Sequence, residues 1–150
     1  MMPAAFRLAL FVFVLVAAAF GPSQSIPATA PRVIELTADH DSRYRQGHTA
    51  SPSIEVFAGE SLILRITAVR AKEVARDGSV HGLALLDNNS NAVAGWSFFL
   101  RPGVQELTVT APLKAGRYTA VCTVICSDAH EGMGFTLVVS DPNVSAKDHR

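Results

Sequence analysis

Apolar and polar residues alternate with a period of two over most of the chain. Ile54 and Val56 stand between polar neighbours, followed by Leu62, Leu64 and Ile66, then Leu83 and Leu85. The rhythm resumes at Leu107 and Val109, at Tyr118, Ala120 and Cys122, and at Phe135, Leu137 and Val139. Successive side chains of a strand point to opposite faces, so this pattern predicts half-buried strands. Turn-forming clusters separate them: Ala58–Ser61 (AGES), Asp87–Asn91 (DNNSN), Arg101–Gly103 (RPG) and Leu113–Gly116 (LKAG). Seven to eight short strands divided in this way predict an all-β sandwich. Only Arg70–Gly78 (RAKEVARDG) has the composition for a helical turn. Trp96, inside AGWSFFL, is expected in the core. Cys122 shares the parity of Tyr118 and Ala120, so it is expected to point inward at the end of its strand, with the next strand opening near Met133.

The N-terminal end follows another rule. Arg7 precedes an uncharged apolar run, Leu8–Phe20, and then Gly-Pro-Ser-Gln-Ser. A basic start, a short apolar stretch and a small-residue exit are the marks of an export signal, and Ala17 and Ala19 suit the positions before a cleavage site. The run is shorter than the roughly 20 residues of a membrane-spanning helix. Residues 1–25 are therefore expected to be a signal peptide or a short N-terminal anchor, with a periplasmic or otherwise exported destination. Residues 26–31 are a linker, 32–140 one domain, and the polar residues 141–150 a flexible tail. Beyond residue 25 the chain holds 12 basic and 13 acidic residues, a balance that offers no footprint for nucleic acid or an anionic membrane surface. Membrane contact is expected only through the possible N-terminal anchor.

Both cysteines of the chain lie in one twelve-residue stretch, CTVICSDAHEGM, from Cys122 to Met133. Its spacing is C-x3-C-x3-H-x2-M: Cys122, Cys126, His130 and Met133. Thiolate, imidazole and thioether together are the donor set that favours copper among biological metals. His81 opens the apolar stretch HGLALLD, and that strand can run beside the one ending at Cys122, bringing a second imidazole. Two plainer explanations exist: a disulfide between Cys122 and Cys126, or a zinc site of both cysteines with His81 and His130. The disulfide leaves the His and Met spacing unused, and zinc leaves Met133 without a role. His40, His48 and His149 stand in polar segments without ligand spacing and are expected at the surface.

On this loop the chain resembles the dinuclear copper (CuA) domains of cytochrome c oxidase subunit II and of nitrous oxide reductase, members of the cupredoxin class. The resemblance runs from about Ser53 to Ser140, and it implies a Greek-key β-sandwich. It also implies two copper ions bridged by Cys122 and Cys126, with His81 and His130 as terminal ligands. Met133 would be a weak axial ligand, and Val124 would give its backbone carbonyl. Two features depart from the family. The carbonyl-donor position is usually acidic in subunit II and is Val124 here. The aspartate that usually precedes the upstream histidine by three residues is replaced by Gly78, with Asp77 one step further away. The function implied is single-electron transfer between a redox protein such as a c-type cytochrome and a terminal oxidase or reductase, not an enzymatic reaction of the domain itself. The alternative is a periplasmic copper chaperone or resistance protein that holds and delivers Cu(I) with the same ligands.

Overall fold

In the computed structural model, residues 30–142 are described. The expectations for residues 1–25, most of the linker, and the tail beyond Pro142 lie outside the described residues. Ten strands form two five-stranded sheets, more than the seven to eight expected. One sheet is ordered β3-β2-β1-β5-β8, from Thr49–Ala50 (β3), Tyr44–Gln46 (β2), Arg32–Ala38 (β1), Ser61–Ala68 (β5) and Gly103–Thr110 (β8). The other is ordered β4-β10-β9-β6-β7, from Ser53–Phe57 (β4), Gly134–Ser140 (β10), Gly116–Val121 (β9), His81–Leu86 (β6) and Ala92–Leu100 (β7). The extra elements are mainly β2 and β3, of three and two residues, too short to show a periodicity.

The chain crosses between the sheets at β3–β4, β4–β5, β5–β6, β7–β8 and β8–β9, the interleaving of a Greek-key sandwich. Pairing is antiparallel except for β1 with β5 and β4 with β10. Alternation then decides what lies inside. Ile34 and Leu36, Leu62, Leu64 and Ile66 face in from one sheet; Ile54, Val56, Tyr118, Ala120, Phe135, Leu137 and Val139 face in from the other. Each large aliphatic side chain so buried contributes ~1.5–3 kcal/mol from removal of apolar surface from water. Trp96 is 1% exposed, and its indole N–H donates to the Thr110 carbonyl at 2.8 Å, so it is a core residue with its polar atom satisfied. β6 is buried on both faces from His81 to Leu85, as befits a strand covered on each side.

The stretch Arg70–Gly78 is irregular and has no helix, which corrects that expectation. Its amides find local partners instead: Gly78 N–H donates to the Ala75 carbonyl at 2.9 Å and Ala75 N–H to the Ser79 carbonyl at 2.8 Å. Among the described residues the helical turn is a 3₁₀ turn at His130–Gly132. Among the described residues no helix is long and apolar enough to cross a membrane.

Candidate metal centre

Strand register brings the distant residues together. β6 pairs antiparallel with β9 as Ala84↔Val121 and Leu85↔Ala120, so the start of β6 runs toward the residues after Val121. β10 pairs with β9 as Gly134↔Val121, and one step further the Cys122 N–H donates to the Met133 carbonyl at 3.0 Å. His81, Cys122 and Met133 thus meet at one end of the sandwich. Gly82 makes the closeness possible. A Cβ at this position would lie 2.1 Å from Thr123 Oγ1 and 3.0 Å from Thr123 N, so only a residue without a side chain lets β6 approach the loop. Its N–H donates to Cys122 Sγ at 3.4 Å, and its carbonyl accepts the Tyr44 hydroxyl at 2.5 Å.

A ring nitrogen of His81 and the two cysteine sulfurs all lie within 4.8 Å of one another, and all three residues are buried. The cysteines are free, with their sulfurs 3.8 Å apart, well beyond the ~2.05 Å of a disulfide bond. Met133 is 1% exposed and puts Sδ 4.0 Å from Cys126 Sγ. On the imidazole of His81, Nε2 is 2.8 Å from the Val69 carbonyl and donates to it. That bond fixes the tautomer and leaves a lone pair on Nδ1, which is buried and has no hydrogen-bond partner. An orphaned buried acceptor beside two thiols is costly in a metal-free protein and useful once a cation accepts it. The donor set therefore fits a soft metal.

Electrostatics agree with the geometry. Burial disfavours the charged imidazolium and lowers the pKa of His81, holding the ring in its neutral, ligating form. Burial also raises the pKa of Cys122, reinforced by the charge of Cys126 nearby. A cation is the partner that reverses this penalty, because metal binding releases the thiol protons.

The remaining candidates are placed as follows. Val124 is buried, and its carbonyl accepts the Cys122 S–H at 3.2 Å, so it faces the sulfurs. His130 stands outside the cluster of His81, Cys122 and Cys126; its Nδ1 donates to the Ser127 carbonyl at 2.9 Å within the 3₁₀ turn. Asp77 makes no bond to His81 and instead accepts from the N–H (3.0 Å) and hydroxyl (2.7 Å) of Ser79. The hydrogen-bond partner of the His81 ring is thus the Val69 carbonyl. His40 and His48 are exposed, and His149 lies outside the described residues. Sequence reasoning missed Ser42, Tyr44 and Val69. Tyr44 and Ser42 sit in a polar run, DHDSRYRQG, whose pattern gives no sign of burial, and a backbone carbonyl leaves no trace in a sequence. The irregular segment before β6 caps the loop: Glu73 N–H donates to the Cys126 carbonyl at 2.8 Å, and Lys72 pairs with Asp128 at 3.1 Å.

No protein-family model and no curated protein matches the chain. Solved structures do. An auracyanin of the photosynthetic bacterium Roseiflexus castenholzii is similar with a TM-score of 0.50 and 18% identity, over 75% of this chain and 99% of that one. The copper protein rusticyanin is similar with a TM-score of 0.50 and 16% identity, over 74% of this chain and 80% of that one. The periplasmic domain of cytochrome oxidase subunit II of Bradyrhizobium japonicum overlaps with a TM-score of 0.46 and 14% identity, over 81% of this chain and 92% of that one. Likeness at this level to the first two is one of fold: the chain has a cupredoxin-like sandwich.

Proposed function

We propose that this is an exported, copper-binding electron-transfer protein whose loop pole holds a dinuclear copper centre. The observation that carries the reading is the buried cluster of His81, Cys122 and Cys126, with the orphaned Nδ1 of His81 and the thioether of Met133 beside it. Zinc would use the thiols and imidazoles but has no need of a buried thioether. The cupredoxin-like fold, shared with a protein described as a copper protein, supports the same choice.

In this reading Cys122 and Cys126 would hold both ions with their thiolates, His81 and His130 would add an imidazole each, Met133 would be the weak donor, and Val124 would offer its carbonyl. Copper held there would supply reversible one-electron chemistry. The chain's own part is to hold the donors still and dry. Gly82 N–H orients Cys122, Val69 orients His81, and the buried strands on either side leave the sulfurs little room to move. To serve as a ligand, His130 would have to give up its bond to the Ser127 carbonyl. With all of these donors engaged, the shell would be filled by protein and the domain would act as a carrier of electrons. Its partners are a redox protein such as a c-type cytochrome and an oxidase or reductase. The loop meets them with Ile125, 71% exposed, while the Val124 side chain is turned inward. Residues 1–25 serve export, as signal peptide or anchor.

A second reading, copper delivery, is favoured by one observation: His130 stands apart, so His81, Cys122, Cys126 and Met133 form a compact soft set suited to one Cu(I). Copper-loaded protein tests both. Two tightly held coppers sharing one unpaired electron, seen by metal count, EPR and absorption, support electron transfer. One Cu(I) that moves readily to a chelator supports delivery. A protein that takes up zinc and refuses copper sinks both.

A further inference from the structure

The corner between β1 and β2 contains no ligand, yet it reaches the sulfurs. Ser42 is 2% exposed and adopts a φ of +59°, uncommon for a residue with a side chain. Asp39 holds it there. The Asp39 carbonyl accepts the Ser42 N–H at 3.2 Å, and its carboxylate accepts the N–H groups of Asp41 and Arg43 at 3.0 and 2.9 Å and pairs with Arg45. The Ser42 hydroxyl is thereby fixed 2.6 Å from Ser127 Oγ and 3.5 Å from Cys126 Sγ. Ser127 Oγ in turn accepts the Ala129 N–H at 3.1 Å.

We infer that Ser42 is a positioning residue for the sulfur of Cys126, and that it donates its hydroxyl proton to that sulfur in the metal-loaded protein. The proton count gives the direction. In the metal-free protein the Cys126 S–H donates to Ser42 Oγ. A metal-bound sulfur has no proton and can only accept. Either serine can donate across the 2.6 Å contact between them; once the proton of Ser42 goes to Cys126, Ser42 can only accept from Ser127, whose Oγ in turn accepts the Ala129 N–H. A one-way chain results, Ala129 N–H to Ser127 to Ser42 to Cys126. Cys122 has no hydroxyl and is held by the Gly82 N–H instead. The two sulfurs are therefore unlike: one is tied to β6 by a peptide, the other to the β1–β2 corner by a side chain that can be removed.

A donor on a thiolate withdraws charge from it and favours the reduced metal. The inference rests on the copper reading for its electrochemical readout, so a second metal is used as a check. Wild type, Ser42→Gly and Ser42→Ala are loaded with copper for voltammetry and a metal count, and with Co(II) for the energy of the thiolate-to-metal absorption band. Both variants lower the potential by an amount equal to about a tenfold change in the ratio of reduced to oxidised protein, about 59 mV for one electron. Both also shift the Co(II) band, with loading unchanged. Glycine relaxes the positive φ and alanine does not, so the two differ in melting temperature while agreeing in potential. Ser127→Ala leaves Ser42 its proton and moves the potential less than half as far. Wild-type potential and bands in both Ser42 variants overturn the inference, as does a potential that follows the melting temperature. A wild-type protein that binds Co(II) but no copper refutes the copper reading alone, and the Co(II) bands still decide for or against Ser42. Wild type that binds neither metal overturns both.

Discussion

The two ends of the sandwich treat polar groups in opposite ways. At the loop end lie all four of the buried polar or charged residues among those described: Asp39, Ser42, Ser79 and His81. One of them, His81, keeps an unpaired nitrogen. At the other end, where β1 and β5 begin, Arg32 binds both carboxylate oxygens of Glu60 (2.6 and 3.0 Å) and the Glu55 carbonyl (2.8 Å), and Glu60 also accepts the Phe57 N–H at 2.8 Å. Those groups are partly open to solvent and paired with one another, beside an open cavity of about 570 Å³. At the loop end Asp39, Ser42 and Ser79 are partnered and the Nδ1 of His81 alone carries a cost without an internal return, whereas the opposite end is ordinary surface stabilisation. Buried polar groups cost ~1–3 kcal/mol when unsatisfied, and a fold keeps them where a ligand completes them.

The largest expected effect falls on the cysteines. Cys122→Ser and Cys126→Ser each abolish binding of two coppers and the purple colour of the two-copper site, because one thiolate cannot form a double bridge. The metal-free melt of each stays cooperative, since the strands carry the core. A variant that still binds two ions with an unchanged spectrum refutes the bridging roles.

His81→Leu separates cost from use. Copper loading falls severely, whereas the chelated protein changes in stability by only about 1 kcal/mol, because the orphaned Nδ1 disappears along with the bond to Val69. Thermal melts with and without chelator check this. A strong destabilisation of the metal-free protein shows that His81 is mainly structural, and the contrast between the two ends then fails.

Gly82→Ala is smaller but still damaging. Its Cβ collides with Thr123, so the loop must move, at ~1–3 kcal/mol, with weaker copper retention. Gly132→Ala, in the 3₁₀ turn with nothing within 4 Å of a Cβ, is the control and changes little. Denaturant unfolding and copper release into a chelator rank the two; equal behaviour removes the claim of close approach.

Arg32→Ala has the least effect, at most ~1 kcal/mol for an exposed pair, and leaves the copper spectrum untouched. It also alters the acid limb. The hydrogen bond from Arg32 lowers the pKa of Glu60 below its unfolded value. The stability from this pair is therefore present above about pH 4.5 and lost as pH falls through the folded pKa. In the variant that part of the acid loss is missing from a pH series of melts. A copper site altered by Arg32→Ala shows that the two ends are coupled.

Periodicity alone determined much of this protein. The inward positions of β4, β5, β9 and β10 follow from alternation, because one buried sheet face forces every second residue to be apolar. The spacing of Cys122, Cys126, His130 and Met133 is likewise local, and the turn chemistry places that segment on a loop. Tertiary structure decided the rest. Only the β6–β9 register sets His81 within 4.8 Å of the sulfurs, and only the β1–β2 corner carries Ser42 across 84 residues of sequence to Cys126. It also decided that His130 turns to the Ser127 carbonyl and that Val69, not an aspartate, orients His81. Residue patterns encode which face of a strand is buried. They do not encode which backbone carbonyl or distant hydroxyl ends beside a ligand, because that depends on how two sheets stack and on the path of the chain between them.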